Sequence, residues 1–327
     1  MFRALPYKTK QFFFLLIKLS IVFGAFYFIY QKIANNENID FKVFWSFLVE
    51  NEVFSIKNVC FLLFLSIFNW FFEIHKWQKL VSFIKKISFY DALKQSLSAL
   101  TASLITPNRI GDYAAKAVHY SKSFRKRIVL LNLLSHMAQM SATLIFGVIG
   151  FSLFASKYSM DLPYFKLGRM LALVLSIGLI AALGIKQNRI KIKGFEPSKI
   201  FEFIRKMPLK IHLMNVSFSV IRYLIFSYQF YFLLCIFGID VSYLNAMMII
   251  TTMYLIASVI PTFFILDIVV KGSIALYLFD IVGVNNLTIL CITLLMWILN
   301  FVFPSIIGSF YVLNFKSLNV VPDTQRE

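Results

Sequence analysis

Negative charge is scarce in this chain: 15 Asp and Glu stand against 33 Lys and Arg, and the four types together make only 15% of its 327 residues. With 59% hydrophobic residues and a mean hydropathy of +0.77, that excludes an ordinary soluble domain, whose apolar share is nearer half. Cysteine is almost missing as well. Cys60, Cys235 and Cys291 each lie in an apolar run without metal-ligand spacing, and they read as buried thiols rather than a disulfide framework or zinc site. The four histidines form no close-spaced metal motif. There is no Gly-x-Ser-x-Gly elbow, phosphate-binding glycine loop or His-Glu-x-x-His helix, so the sequence announces no enzyme class and implies no cofactor.

What is present is long hydrophobic runs. Six are long enough to cross a bilayer, at about 12–31, 57–75, 128–155, 167–185, 212–237 and 286–314, since a span needs roughly 20 apolar residues. The first follows Arg3, Lys8 and Lys10 but lacks a small-residue cleavage site, so a retained helix is expected rather than a signal peptide. The net charge of +18 would suit nucleic acid, but the basic residues flank hydrophobic spans. That is the pattern of loops facing anionic lipid, and no nucleic-acid partner is expected.

The loops also give an orientation. Residues 31–57 balance three lysines with Glu37, Asp40, Glu50 and Glu52 and read as external. The clusters Lys76, Lys79, Lys85 and Lys86, then Lys122, Arg125, Lys126 and Arg127, then the basic segment 186–210, read as cytoplasmic. The positive-inside rule then puts both termini in the cytoplasm, with the inner (plasma) membrane as location.

Two further apolar regions, about 92–120 and 243–283, are interrupted, and they carry one pattern twice. The first copy runs from Ala102 to Lys116 and the second from Ala257 to Lys271. Each reads Ala-Ser-aliphatic-Ile, then proline (Pro107, Pro261), then Asp (Asp112, Asp267), then Lys four residues later (Lys116, Lys271). Proline breaks the helical ladder, and Asp and Lys are costly in hydrocarbon unless paired or facing water. Corresponding broken segments in two halves of a membrane protein point to a transport site. Each is expected as a pair of short helices that enters and returns, or as a pair of full crossings. Three crossings separate the copies, so they enter from opposite faces, as an inverted repeat with halves at roughly 57–155 and 212–314 would require.

Within the first copy Gly111 is expected to permit a tight turn, Arg109 offers a planar fork suited to phosphate, and Asp112 can hold Arg109 or Lys116. Asp267 and Lys271 share a helix face. Arg222 sits inside the run 212–237 and needs a carboxylate, carbonyl or anionic ligand. Asp112, Asp267 and Asp280 are its candidate partners. His136 and Gln139 are expected to hydrogen-bond between helices, Lys18 and Glu73 to snorkel or reach an interface, and Asn300 with Pro304 to kink the last span.

The segment Pro107-Asn108-Arg109-Ile110-Gly111-Asp112 resembles the Pro-Gly-Arg-x-Gly-Glu type motif of the lysylphosphatidylglycerol synthase transmembrane-region family, the membrane part of the multiple-peptide-resistance proteins. Asn replaces the first Gly and Asp the Glu. The second region departs further, because Thr262 to Leu266 stands where relatives are often glycine-rich. The resemblance implies a flippase-like membrane domain. Only about a dozen polar residues follow the last span, fewer than the roughly 50 a soluble domain needs, so a synthase activity is not expected.

The expected protein is thus an all-α polytopic membrane domain, with about six full spans and two proline-broken helix pairs. It would bind and flip a phospholipid or lipid-linked anionic headgroup. Pro107, Arg109, Gly111, Asp112, Lys116, Arg222, Pro261, Asp267 and Lys271 form the expected substrate site. An integral-membrane transferase acting on a polyprenyl or phospholipid substrate, and a membrane scaffold for a partner enzyme, remain the alternatives; homo-oligomerisation is left open.

Overall fold

The computed structural model describes residues 46, 49–50, 55–104, 106, 109–158, 197–259 and 264–315, with the side chains of 197–199 and 264–269 excepted. The expected spans 12–31 and 167–185, Lys18, and the prolines Pro107 and Pro261 lie outside the described residues, as does the side chain of Asp267.

The described residues are helical throughout, with no strand. Helix α1 is Ile56–Val81, α2 Phe89–Leu104, α3 Ile110–Val118, α4 Lys122–Lys157, α5 Pro197–Lys206 and α6 Leu209–Ile236. They are followed by α7, Tyr243–Val259, α8, Phe264–Asp280, α9, Asn286–Trp297, and α10, Phe303–Leu313. A π-helical turn at Ile298–Val302 joins α9 to α10. Four stretches are long and apolar enough to cross a membrane: α1, α4, α6 and the continuous α9–α10. The protein is a helical membrane protein.

Local chemistry sets the ends. Ser55 accepts from Asn58 N at the start of α1. Ser88 and Asp91 bond reciprocally at the start of α2, and Asn285 accepts from Leu287 N before α9, each satisfying a backbone donor that the helix leaves orphaned. Gly238 (φ 69°) and Gly283 (φ 77°) follow α6 and α8 in the left-handed conformation that glycine adopts cheaply.

The two interrupted regions are each a pair of helices. At 1.5 Å per residue, the nine residues of α3 extend about 14 Å, too short for the ~30 Å of a hydrocarbon core. The packing partners follow a regular scheme. Helix α1 lies along α6, α4 along α7, and α10 along α2, while α3 packs on α4 and α8 on α9. Two of these contacts need glycine. A methyl at Gly150 would overlap Thr251 of α7, and one at Gly308 would overlap the Leu97 carbonyl and the Thr101 hydroxyl of α2. Small residues let helix backbones approach where burial of apolar surface from water provides no driving force.

Large apolar side chains face outward on the long helices: Phe64, Ile67 and Phe71 on α1, Ile145, Val148 and Leu153 on α4, Ile306, Ile307 and Phe310 on α10. Such continuous apolar faces fit lipid, not water. Cys60 and Cys235 are among the exposed residues, which corrects the expectation of three buried thiols; a sequence run in a bilayer protein has no polar outer face to betray which side points out. Cys291 is buried.

Candidate functional site

The break between α2 and α3 is built by Thr106 and Arg109. Thr106 Oγ1 accepts from Gly111 N at 2.8 Å, supplying from outside the helix the cap that α3 lacks. Arg109, with φ 55° and ψ 30°, is the left-handed residue there. The expectation that Gly111 makes the turn is therefore corrected. Gly111 is needed for another reason: a Cβ at that position would overlap the Ala102 carbonyl of α2. A left-handed non-glycine residue costs roughly 1–2 kcal/mol, and here the strained residue is a candidate ligand contact.

Asp112 and Lys116 follow on α3, buried at 7% and 2% exposure. Lys116 Nζ lies 3.3 Å from Asp112 Oδ1, donates to Asn132 Oδ1 at 2.8 Å, and sits over the Trp77 ring, 4.5 Å from its centroid. Asn132 Nδ2 donates to Asp112 Oδ2 at 2.6 Å, and His136 Nε2 stands 2.8 Å from the same oxygen. Asp112, Lys116, Asn132 and His136 thus each have a polar partner on α3 or α4, which is what a charged pair in an apolar surround requires.

A second ionic cluster lies between α1 and α6. Arg222 pairs with Glu73, and its Nε donates to Asn69 Oδ1 at 3.1 Å and its Nη1 to Gln139 Oε1 at 3.1 Å. Lys76 Nζ lies 2.9 Å from the same Glu73 carboxylate. The expected partners of Arg222 were Asp112, Asp267 or Asp280; the carboxylate is instead Glu73. Lys76 was read as part of a cytoplasmic loop and Glu73 as snorkelling, but α1 continues to Val81 and both are buried, Lys76 at 2% exposure. The reason is their mutual pairing: a salt-bridged pair at i,i+3 adds little cost to a span, so charge alone does not end one.

The polar chain runs on. Asn69 Nδ2 donates to Asn300 Oδ1 at 3.2 Å, Asn300 Nδ2 to Gln229 Oε1 at 2.9 Å, and Gln229 Nε2 to Ser66 Oγ at 2.9 Å. Asn300 sits in the π turn, whose irregular ladder leaves its carbonyl to accept from Trp70 Nε1 at 3.1 Å. π-Helical turns of this kind cluster at functional sites.

Both ionic clusters and the Asn69–Asn300 link border one cavity of about 530 Å³. Among the described side chains its walls carry five cations, Lys76, Arg109, Lys116, Arg222 and Lys271, against two carboxylates, Glu73 and Asp112. Arg109 follows the first break and Lys271 the second, yet both lie over one ring. The Arg109 guanidinium is 5.0 Å and the Lys271 ammonium 5.9 Å from the centroid of Phe301. Of the sequence-derived site residues, Arg109, Asp112, Lys116, Arg222 and Lys271 line the cavity, and Gly111 packs against Ala102 of α2. Sequence reading missed Glu73, Lys76, Asn69, Tyr254 and Phe301; for the first two, the i,i+3 spacing and the apolar residues Trp77, Leu80 and Val81 beyond them were the available signal.

Among the described residues no three His, Cys, Asp or Glu side chains converge as metal ligands. The arrangement is a partly neutralised cationic chamber walled by membrane helices, which is suited to holding an anion away from water. Comparison of the chain with protein-family models, with curated proteins and with solved structures returned no match.

Proposed function

We propose that this protein translocates an anionic phospholipid or lipid-linked headgroup across the membrane, with the cavity as headgroup site and the acyl chains left in the bilayer. The observation that carries it is the excess of cations over carboxylates among the described side chains, five to two, in a cavity walled by membrane helices. A wall rich in Lys and Arg favours an anion, and a phosphodiester takes charge-assisted hydrogen bonds from it. The volume lies within the roughly 300–1,000 Å³ of small-ligand pockets, enough for a headgroup but not a whole lipid.

The proposal includes six full spans with cytoplasmic termini in a plasma membrane, and an inverted repeat in which α1, α2 and α4 correspond to α6, α7 and α9–α10. The packing scheme supports that correspondence. Exchanging the halves maps the α4–α7 contact onto α10–α2, the α2–α3 pair onto α7–α8, and the α3–α4 contact onto α8–α9. Both broken pairs would then be re-entrant, meeting at Phe301. The likeness of Pro107 to Asp112 to the lysylphosphatidylglycerol synthase membrane-region motif points the same way.

In liposomes containing the purified protein and an acyl-labelled anionic lipid, accessibility to an external quencher reports movement. Wild type is expected to expose the inner-leaflet label, and Arg109→Ala or Lys271→Ala to slow this by about tenfold or more. Such a loss corresponds to one charge-assisted contact of ~1.5–3 kcal/mol. Folded wild-type protein that moves no anionic lipid overturns the proposal.

A further inference from the structure

The hydrogen bonds around Asp112 fix which nitrogen of His136 carries a proton. Lys116 Nζ can only donate, so the Asn132 atom 2.8 Å from it is the amide oxygen. The amide nitrogen of Asn132 is left to donate to Asp112 Oδ2, at 2.6 Å. Asp112, paired with Lys116 and bonded by Asn132, is an acceptor. His136 Nε2, 2.8 Å from the same oxygen, must therefore donate. The other ring nitrogen, Nδ1, has no hydrogen-bond partner among the described residues. In the neutral ring it is the nitrogen that can take up a proton.

His136 is also the one histidine among the described residues that line the cavity, and 37% of its side chain is exposed. Asn132, one turn earlier on α4, is fully buried. Imidazole is the side chain whose ordinary titration falls between pH 5 and 8.

The surrounding charges make that site sensitive to an anion. On α3, Asp112 favours a proton on the ring and Lys116 opposes one, while Tyr113 packs on it at 5.4 Å. Of the other helices packed on α4, α1 brings Glu73 and Lys76 to the cavity, α6 Arg222 and Tyr223, and α7 Tyr254. Arg109 and Lys271 come from the two breaks. The cations oppose a further positive charge, whereas a headgroup phosphate among them favours it. By linkage, a proton on His136 then strengthens phosphate binding by the same factor.

We propose that His136 is a proton site loaded together with the headgroup, so that the protein moves an anionic lipid and one proton as an electroneutral pair. This goes beyond the translocation reading and rests on it. The proton adds to Nδ1 from water on the loading side and leaves to water on the other. Nε2 donates to Asp112 throughout, and no other bond is made or broken. Moving the pair avoids carrying a net charge through hydrocarbon.

The test uses the full chain in liposomes with acyl-labelled phosphatidylglycerol and a pH step of one unit between lumen and bath. Potassium with valinomycin holds the membrane potential at zero. Coupled movement stops when the product of lipid and proton activities is equal on the two sides. In wild type the lipid should gather in the leaflet on the alkaline side, up to about tenfold over protein-free liposomes at one proton per lipid. His136→Gln keeps an amide that can donate to Asp112 but takes up no proton, so its thermal midpoint should hold while the bias disappears. His136→Asn supplies a second side chain without a titrating nitrogen should the glutamine variant not fold. Wild-type movement that leaves the leaflets equal under the step overturns proton coupling and leaves translocation standing. A bias that persists in the folded variant overturns His136 as the proton site. No movement of the lipid by wild type overturns both readings.

Discussion

Replacing Glu73 by Gln removes the single carboxylate that Arg222 and Lys76 share. Glu73 is 11% and Lys76 2% exposed at the side chain, so water replaces little of what is lost. At an effective dielectric of about 20, a unit pair 2.9 Å apart attracts by roughly 6 kcal/mol, and desolvation cancels part of that. Breaking a buried pair from one side typically costs about 3–5 kcal/mol, because the uncompensated charge stays behind. Arg222 keeps Asn69 and Gln139 as acceptors, which argues for the lower half of that range. For a chain of this size the thermal midpoint of the detergent-solubilised protein should then drop by roughly 5 °C. Adding Lys76→Met to Glu73→Gln removes one stranded charge and should recover part of the loss. A single variant that melts with wild type would falsify the reading of this cluster as a mutually dependent buried pair. A double variant no better than the single would show that Lys76 is not the stranded charge.

Gly308→Ala, which would press a methyl onto the Leu97 carbonyl and the Thr101 hydroxyl, should cost about 1–3 kcal/mol of stability. Gly272→Ala, whose methyl would find only Thr293 Cγ2 at 4.0 Å, should be neutral or stabilising, since alanine is favoured in a helix by up to ~1 kcal/mol; the two melting curves read the contrast directly. His119 packs against Phe315 at 4.5 Å, and burial holds its imidazole down from the usual 6.5 to about 4, while Asp91 raises it and Lys94 lowers it. The unfolded chain therefore takes up the proton first on acidification. The stability that neutral His119 contributes, up to about 3 kcal/mol, should be complete above pH 6.5 and lost as pH falls towards 4. His119→Gln should flatten the thermal midpoint over that window, and an unchanged pH profile would remove His119 as its source.

Much of this was written in the chain itself. Apolar run length fixed α4, α6 and α9–α10 to within a few residues at most ends, because a helix in lipid must satisfy its own backbone and therefore needs an unbroken apolar stretch. The paired Pro-Asp-Lys segments located both helix pairs, and the costly charges Arg109, Asp112, Lys116, Arg222 and Lys271 all proved to border one cavity. Partnership was a matter for the tertiary structure. Arg222 found Glu73 rather than any of three aspartates, since the choice depends on α1 lying along α6, a contact between residues 149 apart in sequence. Lys76 and Glu73 read as an end of a span when taken one at a time, and as its interior once paired. The left-handed turn fell to Arg109, while Gly111 serves the close approach of α2, which leaves no room for a Cβ beside Ala102. Composition and periodicity report what each residue costs in a bilayer; which neighbour offsets that cost is decided only when distant helices meet.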